Sequence, residues 1–581
     1  MDRIPAMQAA VEVLESEGVD TVFGCPGAAI LPLYKALEAS DIRHLVVRHE
    51  EGGAHMADGW ARTTGKVGVA ISTSGPGGTN MVTGLYSAMA DSIPIVALCG
   101  QAPLGTLHQE AFQAVDIVGI ARPVTKWAVQ VKEAAQLPWI LREAFRVARS
   151  GRPGPVLVDL PVNIQREEIV WDPAGDAPLA VPAVEPHQAG VERALDLLLD
   201  AERPLLVAGG GVIGGEASEE LREVAELLDV PVHITLMGKG SFPEDHRLFA
   251  GMAGIQTSTP AGNASFLESD VVLVLGARFG DRWTGDLETF RGDRRFVHVD
   301  IEPTQIGKVF PPDLGVVSDA RLFLAALCDA AKNRDDLGDR STWVERVREL
   351  QRTLARRDDY DTVPVKPPRV FRELNAFYGP ETYFVTAIGT YQIWSGQFQR
   401  IDRPRHYQVT GQAGPLGWEI PAAIGVKCAA PDAEVVGVVG DYSFQFMVEE
   451  LAVAAQYDVG FVLVMLNNQY LGLIRQAQMA YDMNYQVDLH YDEAGSDNVA
   501  IMEAYGCTGR RVTDPSDIGA ALEWARGQVQ RTSRPVLVEV MVDREANACM
   551  GPSIDRVTEY EDAHSRHDAV QGAWAEARGG G

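Results

Sequence analysis

Short apolar runs alternate with helical patterns along almost the whole chain. The runs are four to eight residues long, rich in β-branched side chains, and lack the alternation of apolar and polar positions that marks a half-exposed strand. Such runs are typical of strands buried on both faces of a parallel sheet. We therefore predict doubly wound parallel-sheet α/β layers. Examples are HLVVRH, VGVAIST, IPIVALCG, GPVLVDLP, RPLLVAGG, VVLVLGA, FVHVDI, TYFVTAI, EVVGVVG, FVLVMLNN and PVLVEVMV.

Two stretches interrupt this rhythm. Residues 169–190 are rich in proline and alanine, and residues 356–369 are charged and then proline-rich. Both are typical of linkers. They divide the chain into three α/β domains and a C-terminal tail, with expected bounds 1–170, 190–345, 365–545 and 546–581.

Composition and charge narrow the classes of partner. The 581 residues include 51 Lys and Arg against 80 Asp and Glu, a net charge of −29. That charge repels nucleic acids and anionic membranes, so we expect neither as a partner, and an anionic substrate needs a local cationic pocket. The six cysteines are scattered, the N-terminus lacks the pattern of a signal peptide, and no run is long enough to span a membrane, so we expect a cytoplasmic protein.

The strongest chemical signal lies in the third part. Asp441 follows the run EVVGVVG, a helical pattern comes next, and Asn468 ends the run FVLVMLNN. One strand–helix–strand crossover separates the two residues, so both fall at carboxyl ends of neighbouring parallel strands, where open α/β sheets bind ligands. Their oxygens, with the backbone carbonyl of Tyr470, suit octahedral Mg²⁺. The alternative is a helix cap at Asp441 and a turn at Asn468.

Two weaker signals lie in the first part. Glu50 follows the run HLVVRH, just before a helical pattern, and an acidic first helical turn is the alternative explanation. The glycine-rich stretch TSGPGGTN (73–80) joins a strand to a helix and leaves backbone N–H groups free for a ligand. In the second part, Gly209-Gly210-Gly211 forms a looser nucleotide-loop pattern.

Together these segments resemble the thiamine-diphosphate enzymes of the acetolactate synthase type, from about residue 5 to residue 560. GD…NN is similar to their diphosphate–metal motif, and RHE to the segment with their catalytic glutamate. Six further segments resemble the FAD-carrying members of the family: GCPGAAILPLY, TSGPGGTN, EAFQAVD, SGRPGPVLVDLP, GARFGDRWTG and VHVDIEPTQIGK. The resemblance implies a pyrimidine-binding domain, a central FAD domain and a diphosphate-binding domain. It also implies active sites shared between two subunits of a homodimer at least, with a homotetramer as the expected assembly.

Within that family the chain resembles the glyoxylate carboligases most. The segments that carry this likeness are GQAGPLGWEIPAAIGV, LGLIRQAQMAYDMNY and CMGPSIDRVTEYED. Acetolactate synthases usually have tryptophan where this chain has Ala477, and a small residue suits a compact 2-oxoacid acceptor. Glyoxylate carboligases, however, have an aliphatic residue at the position of Glu50. The alternative activities are therefore acetolactate synthase or a broader 2-ketoacid carboligase, an oxidase that uses FAD in turnover, and a silent scaffold.

The resemblance also implies roles for single residues. Glu50 would bond the aminopyrimidine ring, Leu416 would support the bend of the coenzyme, and Gln113 would be a polar contact in the active site. Arg282 is our candidate for the acceptor carboxylate, because guanidinium binds carboxylate in a bidentate way; an ion pair with Asp281 or Asp286 is the alternative. Thiamine diphosphate would be bound by Gly27, Gly77, Gly389, Tyr391, Gln392, Gly414 and Ser443. FAD, in a structural role, would be bound by Arg152, Gly210, Gly211, Leu236, Gly251, Arg278, Asp300 and Asp319.

Overall fold

The computed structural model describes residues 3–560, which form three six-stranded parallel sheets and one antiparallel pair. This confirms the predicted fold class of three doubly wound parallel-sheet α/β domains. The part of the predicted tail at 561–581 lies outside the described residues. Among residues 3–560, no helix has the length and apolar character needed to cross a bilayer. All six cysteines are free thiols.

The first sheet has the strand order β3-β2-β4-β5-β7-β6, and a small antiparallel pair, β1 with β8, joins the two ends of this part of the chain. The strands are β1 Arg3–Pro5, β2 Thr21–Gly24, β3 Arg43–Val46, β4 Gly68–Ser72, β5 Ile95–Gln101, β6 Trp127–Gln130, β7 Val156–Pro161 and β8 Glu168–Val170. The helices are α1 Ala6–Ser16, α2 Leu31–Leu37, α3 Glu50–Thr64, α4 Pro76–Asn80, α5 Val82–Asp91, α6 Ile117–Ala121, α7 Leu137–Arg149 and α8 Val162–Gln165.

The central sheet has the order β11-β10-β9-β12-β13-β14 and a hydrophobic core of its own. Its strands are β9 Pro204–Ala208, β10 Val232–Ile234, β11 Phe249–Gly251, β12 Val271–Leu275, β13 Arg295–Asp300 and β14 Leu314–Val317. Its helices are α9 Gln188–Leu199, α10 Gly210–Gly214, α11 Ser218–Leu228, α12 Pro260–Glu268, α13 Asp281–Thr284, α14 Leu287–Arg291, α15 Ala320–Lys332 and α16 Ser341–Thr353.

The third sheet has the order β16-β15-β17-β18-β20-β19. Its strands are β15 Tyr383–Thr386, β16 Tyr407–Val409, β17 Val435–Gly440, β18 Val462–Asn467, β19 Thr508–Val512 and β20 Val536–Met541. Its helices are α17 Pro367–Phe377, α18 Thr390–Phe398, α19 Glu419–Ala429, α20 Asp441–Phe444, α21 Leu451–Gln456, α22 Gly472–Met479, α23 Tyr491–Ala494, α24 Asn498–Ala504 and α25 Ile518–Thr532. Single turns of 3₁₀-helix lie at Leu104–Thr106, Arg122–Val124, Ala134–Gln136, Pro173–Gly175, Leu236–Gly238, Pro303–Gln305, Val448–Glu450 and Pro515–Asp517.

Helices α3 and α19 join the first and third domains. Met56 and Trp60 of α3 are buried in the same cluster as Ile420 and Ile424 of α19. The helices approach this closely because Gly59 packs against the backbone of α19, where a side chain has no room. The two domains therefore share one core, which fixes the loops at their facing ends.

A buried ion cluster reinforces this contact. Arg62 of α3 pairs with Asp58 and Asp91 of the first domain. Its Nη1 donates to the carbonyl of Val409 in the third domain at 2.7 Å. The Asp91 carboxylate accepts the backbone N–H groups of Gly411 and Gln412 at 2.8 and 3.0 Å. The first domain thus holds the loop that follows β16 by its backbone.

We expect Arg62→Met to lower the free energy of unfolding by about 3–5 kcal/mol, because Asp58 and Asp91 would stay buried without their cation. Arg222→Met is the matched control, since Arg222 pairs with Glu219 at the exposed surface and should change stability by about 0.5 kcal/mol or less. Urea midpoints of the two variants test this. Equal shifts would show that the cluster is not a major contributor to stability.

Candidate active site

Asp441 and Asn468 lie side by side at the carboxyl edge of the third sheet. They follow the neighbouring parallel strands β17 and β18. Both side chains are buried, and Asp441 Oδ2 has no hydrogen-bond partner among the described residues. Burial raises the pKa of Asp441 to about 7, and the backbone N–H groups of Asn468 and Gln469 act in the opposite direction. A buried, unpartnered carboxylate oxygen is costly unless a ligand completes it.

The loop after β18 orients the other two expected metal ligands. Asn468 Oδ1 accepts the N–H of Tyr470 at 3.1 Å, which closes a turn. The ring of Tyr470 lies against the guanidinium groups of Arg475 and Arg544, at 5.0 and 4.3 Å from its centroid. One carboxylate, one amide oxygen and one carbonyl are hard oxygen ligands, so the residues fit Mg²⁺.

The expected diphosphate-binding residues surround this edge. Gly389 begins α18, and Tyr391 covers Gly440, where an added Cβ would lie 2.7 Å from the ring. The polar tips of Tyr391 and Gln392 point inward: the tyrosine hydroxyl lies 2.8 Å from the carbonyl of Ile388, and Gln392 Nε2 lies 2.8 Å from that of Thr410. The backbone N–H of Gln392 donates to the carbonyl of Gly389 at 3.2 Å. The donor left for a diphosphate is therefore the N–H of Tyr391 in the first turn of α18, rather than either side chain.

Leu416 lies on the loop after β16, between two glycines in the left-handed region. Gly414 has φ 57° and Gly417 has φ 78°. The N–H of Gly417 donates to Ser443 Oγ at 2.9 Å, which ties this loop to the one after β17. Leu416 is half-buried at this junction, as an apolar support beneath a ligand should be.

Glu50 lies at the carboxyl edge of the first sheet, as the first residue of α3. Its Oε2 accepts Asn80 Nδ2 at 2.8 Å, a partner that the sequence did not reveal. An added Cβ on Gly77 would lie 3.4 Å from Glu50 Oε1, so glycine keeps the carboxylate accessible from that side. Glu50 therefore has one oxygen fixed by Asn80, and its other oxygen faces the glycine-rich loop.

Two other expected residues border the same glycine-rich loop. Gly27 packs against Thr73, and Gln113, at φ 58°, packs against Gly75. The structure therefore brings Glu50, Gly27, Gly77 and Gln113 together at one sheet edge.

Glu450 is a second partner of this edge that sequence reasoning missed. It belongs to the third domain, yet its Oε1 accepts the N–H groups of Arg48 and His49 at 3.1 and 2.8 Å, just before Glu50. Burial raises its pKa to about 7, and those two N–H groups act against the rise. The loop that carries Glu50 is thus fixed from the neighbouring domain.

Arg282 is exposed on α13 in the central domain. No acidic side chain within residues 3–560 forms an ion pair with it, and Asp286 instead caps α14 through Thr289. The nearby Gly280 would place an added Cβ 3.2 Å from Gln412 Oε1, so the Arg282 segment adjoins the loop that carries Leu416. An unpaired cation beside that loop suits an anionic substrate.

The expected FAD residues gather at the carboxyl edge of the central sheet. They follow or end six different strands: Gly210 and Gly211 after β9, Leu236 after β10, Gly251 at β11, Arg278 after β12, Asp300 at β13 and Asp319 after β14. Arg152 reaches this edge from the first domain, where it donates to Ser92 Oγ at 2.8 Å. Burial lowers the pKa of Arg152, and the charge of Arg278 adds to that effect, so two cations converge here.

That donor set fits a dinucleotide. Paired guanidinium groups suit phosphates, a glycine loop at a helix start allows close backbone approach, and a carboxylate suits ribose hydroxyls. Both acids of this set also have local roles, because Asp319 caps α15 and Asp300 accepts the N–H of Glu302 at 2.9 Å.

Three family profiles match the chain in succession. Residues 5–120 match the description Thiamine pyrophosphate enzyme, N-terminal TPP binding domain; residues 191–327 match Thiamine pyrophosphate enzyme, central domain; and residues 387–540 match Thiamine pyrophosphate enzyme, C-terminal TPP binding domain.

Full-length relatives are similar over nearly the whole chain. A glyoxylate carboligase of Escherichia coli O157:H7 is 49% identical over 575 residues, with 97% of each chain covered. An acetolactate synthase large subunit of Corynebacterium glutamicum is 40% identical over 555 residues, which cover 94% of this chain and 88% of the relative. A probable acetolactate synthase large subunit of Methanocaldococcus jannaschii is 39% identical over 562 residues, which cover 95% and 94%.

Proposed function

The chain belongs to the thiamine pyrophosphate enzymes, as its motifs predict, and on that premise we propose that it is a glyoxylate carboligase. It would use thiamine diphosphate and Mg²⁺ to decarboxylate one glyoxylate and join the remaining carbon to a second, giving tartronate semialdehyde and CO₂. The observation that carries the proposal is the unpartnered, buried Asp441 Oδ2 beside Asn468, which needs a cation. The 49% identity to a glyoxylate carboligase supports the substrate.

The third domain would hold the charged end of the coenzyme. Asp441, Asn468 and the carbonyl of Tyr470 would bind Mg²⁺, while the backbone at Gly389 and Ser443 would bind the diphosphate. Leu416 would support the coenzyme from below, since it is half-buried between Gly414 and Gly417, whose left-handed backbone conformations shape this loop. Bound thiamine diphosphate would supply a carbon nucleophile and an electron sink for decarboxylation.

The first domain would control a proton. Glu50 would hold a proton at its free oxygen against a ring nitrogen, while Asn80 fixes the other oxygen at 2.8 Å. Glu450 holds the preceding backbone, so the carboxyl group cannot drift from that position. Such fixed geometry is what general acid–base catalysis requires.

The acceptor's carboxylate would be held by Arg282. A chain of net charge −29 repels an anion unless a cation receives it, and Arg282 is unpaired within the described part of the chain. Ala477 would leave room for a compact acceptor, and Gln113 would contact it at the edge of the first sheet.

We propose a homodimer at least, and a homotetramer as the full assembly. Exposed apolar side chains border both coenzyme-binding edges: Phe112, beside Gln113, is 83% exposed, and Tyr481, after α22, is 77% exposed. Large exposed aromatic residues at a binding edge are typical of surfaces that another chain covers. Each active site would then combine Glu50 of one copy with Asp441 of another.

FAD would be structural in this enzyme, held by the set around Arg152 and Arg278. The purified protein should release flavin on denaturation, and glyoxylate should leave the bound flavin oxidised. Bleaching of the flavin by substrate, with peroxide release in air, would support the oxidase alternative instead.

Acetolactate synthase, or a broader 2-ketoacid carboligase, is the second candidate, because Glu50 departs from the residue usual in glyoxylate carboligases and relatives at 39–40% identity carry that name. Supplying glyoxylate and pyruvate separately and identifying the products separates the two. We expect tartronate semialdehyde, with a kcat/KM for glyoxylate roughly 10-fold or more above that for pyruvate, as a one-methyl difference in a pocket allows. Faster condensation of pyruvate to acetolactate would overturn the proposed substrate.

A further inference from the structure

A carboxyl group lies beneath the proposed diphosphate site and takes no part in the function described above. Glu419 is the first residue of α19 and its exposed fraction is 0%. One of its oxygens contacts the hydroxyl of Tyr391. Ser443 Oγ lies 3.1 Å from Oε1 and 3.0 Å from Oε2.

This contact connects three loops of the third domain. Tyr391 follows β15 and Ser443 follows β17, while Ser443 Oγ also accepts the N–H of Gly417 from the loop after β16. These loops carry the residues proposed to hold the coenzyme. Glu419 therefore contacts two of these loops directly, and the third through Ser443.

A count of protons favours an uncharged carboxyl group. The Tyr391 hydroxyl has one proton, and it lies 2.8 Å from the carbonyl of Ile388, which can only accept. If that proton goes to Ile388, the contact between Tyr391 and Glu419 needs a proton from the glutamate. Ser443 gives its own proton to the carboxyl group and accepts from Gly417, so every hydrogen bond has one donor and one acceptor.

The surroundings favour the same state. No Lys, Arg or His within residues 3–560 forms an ion pair with Glu419, so an ionised carboxylate there would be buried without a counterion. Burial raises its pKa to about 7, against the effect of the Tyr391 and Ser443 hydroxyls. An ionised group would also repel the diphosphate above it.

We infer that Glu419 is an uncharged positioning residue, which holds Tyr391, Ser443 and the Gly417 loop in the arrangement that binds the diphosphate. This inference rests on the proposed function. Because the acid is neutral, it joins the three loops without adding negative charge under an anionic ligand.

The experiment is calorimetric titration of thiamine diphosphate, at saturating Mg²⁺, into the coenzyme-free protein. Glu419→Gln keeps the shape and can donate to Tyr391 while it accepts from Ser443. We expect its dissociation constant to stay within about 3-fold of wild type from pH 6 to pH 8, with the same pH profile. Glu419→Leu removes the carboxyl contacts of both hydroxyls, and with them the connection between the loops, and should weaken binding by roughly 10- to 100-fold.

Several results would overturn the inference. An ionised Glu419 would make the Gln variant bind the coenzyme more tightly than wild type, increasingly so as the pH rises. Wild-type affinity in Glu419→Leu would show that the group does not position the loops. If the Leu variant fails to fold, Tyr391→Phe removes only the hydroxyl and should weaken binding in the same direction, and unchanged affinity there would count against the inference.

A second measurement is independent of the coenzyme. Infrared difference spectra of wild type against Glu419→Gln should contain the C=O stretch of a protonated carboxyl group, and a carboxylate band in its place would contradict the neutral state. Failure of wild type to bind thiamine diphosphate would instead reject the proposed function, and with it the role of Glu419 under a diphosphate.

Discussion

Asp441→Ala should abolish Mg²⁺-dependent binding of thiamine diphosphate, with a loss of affinity of roughly 100-fold or more. The variant removes the one carboxylate among the proposed metal ligands, and the guanidinium groups of Arg475 and Arg544 beside Tyr470 are cations that cannot replace it. Titration of the coenzyme at fixed Mg²⁺, and with the metal removed by a chelator, measures the effect. The unliganded protein should not lose stability, since Asp441 Oδ2 is buried without a partner.

Asp432→Ala is the matched control for this prediction. Asp432 is exposed and lies just before β17, at the opposite end of the strand that Asp441 follows. The Asp432→Ala variant should bind coenzyme and metal as wild type does. If Asp441→Ala also kept wild-type, metal-dependent affinity, the carboxylate would not be a metal ligand and the proposed site would be wrong.

Glu50→Gln should slow deuterium exchange at the reactive carbon of the bound coenzyme by roughly 10²- to 10³-fold, a range usual for loss of one acid–base group. Coenzyme affinity should change little, because Asn80 can still bond an amide oxygen at this position. Rapid-quench exchange measured by NMR separates this step from binding. Exchange at the wild-type rate would remove Glu50 from the role proposed for it.

Glu51→Gln is the control, because Glu51 lies in the same first helical turn but contacts His55 at 3.5 Å instead of the glycine-rich loop. In the Glu51→Gln variant, the reactive carbon of the bound coenzyme should exchange deuterium at nearly the wild-type rate. Glu50→Val adds a test of substrate: substantial remaining turnover of glyoxylate would favour glyoxylate carboligase over acetolactate synthase.

The buried strands and the metal-binding edge could be predicted from sequence because their signals are local and strong. β12 and β17 are continuous apolar runs, and β17, β18 and the helices between them place Asp441 beside Asn468 by topology alone. Edge strands gave less signal. β19 has the sequence TGRRV, with two exposed arginines, because one side of an edge strand meets solvent.

Long-range contacts could not be predicted in this way. The helix expected after Asp441 is broken into α20, a 3₁₀ turn and α21, because Phe446 and Met447 pack against Gly417 from another loop. Glu450 contacts the backbone before Glu50 across a domain boundary, and no local pattern reveals such a partner. Glu419 did leave a signal, as a single charged residue inside the apolar segment GWEIPAAIGV.

Part of the predicted tail lies within the described residues. Its first part, up to residue 560, packs against the central domain: Ser553 pairs with Gly285, and Ile554 is fully buried. The domain bounds remain predictions, although both proline-rich stretches connect separate sheets.

The shared core of α3 and α19 also constrains how the chain is made. Met56 and Trp60 are synthesised early, but Ile420 and Ile424, which cover them, follow about 360 residues later, or roughly 20 to 70 s at ordinary translation rates. During that interval the apolar face of α3 lacks its native packing partner and can form non-native contacts. We therefore expect this face of the nascent protein to need a temporary cover until the third domain has been synthesised.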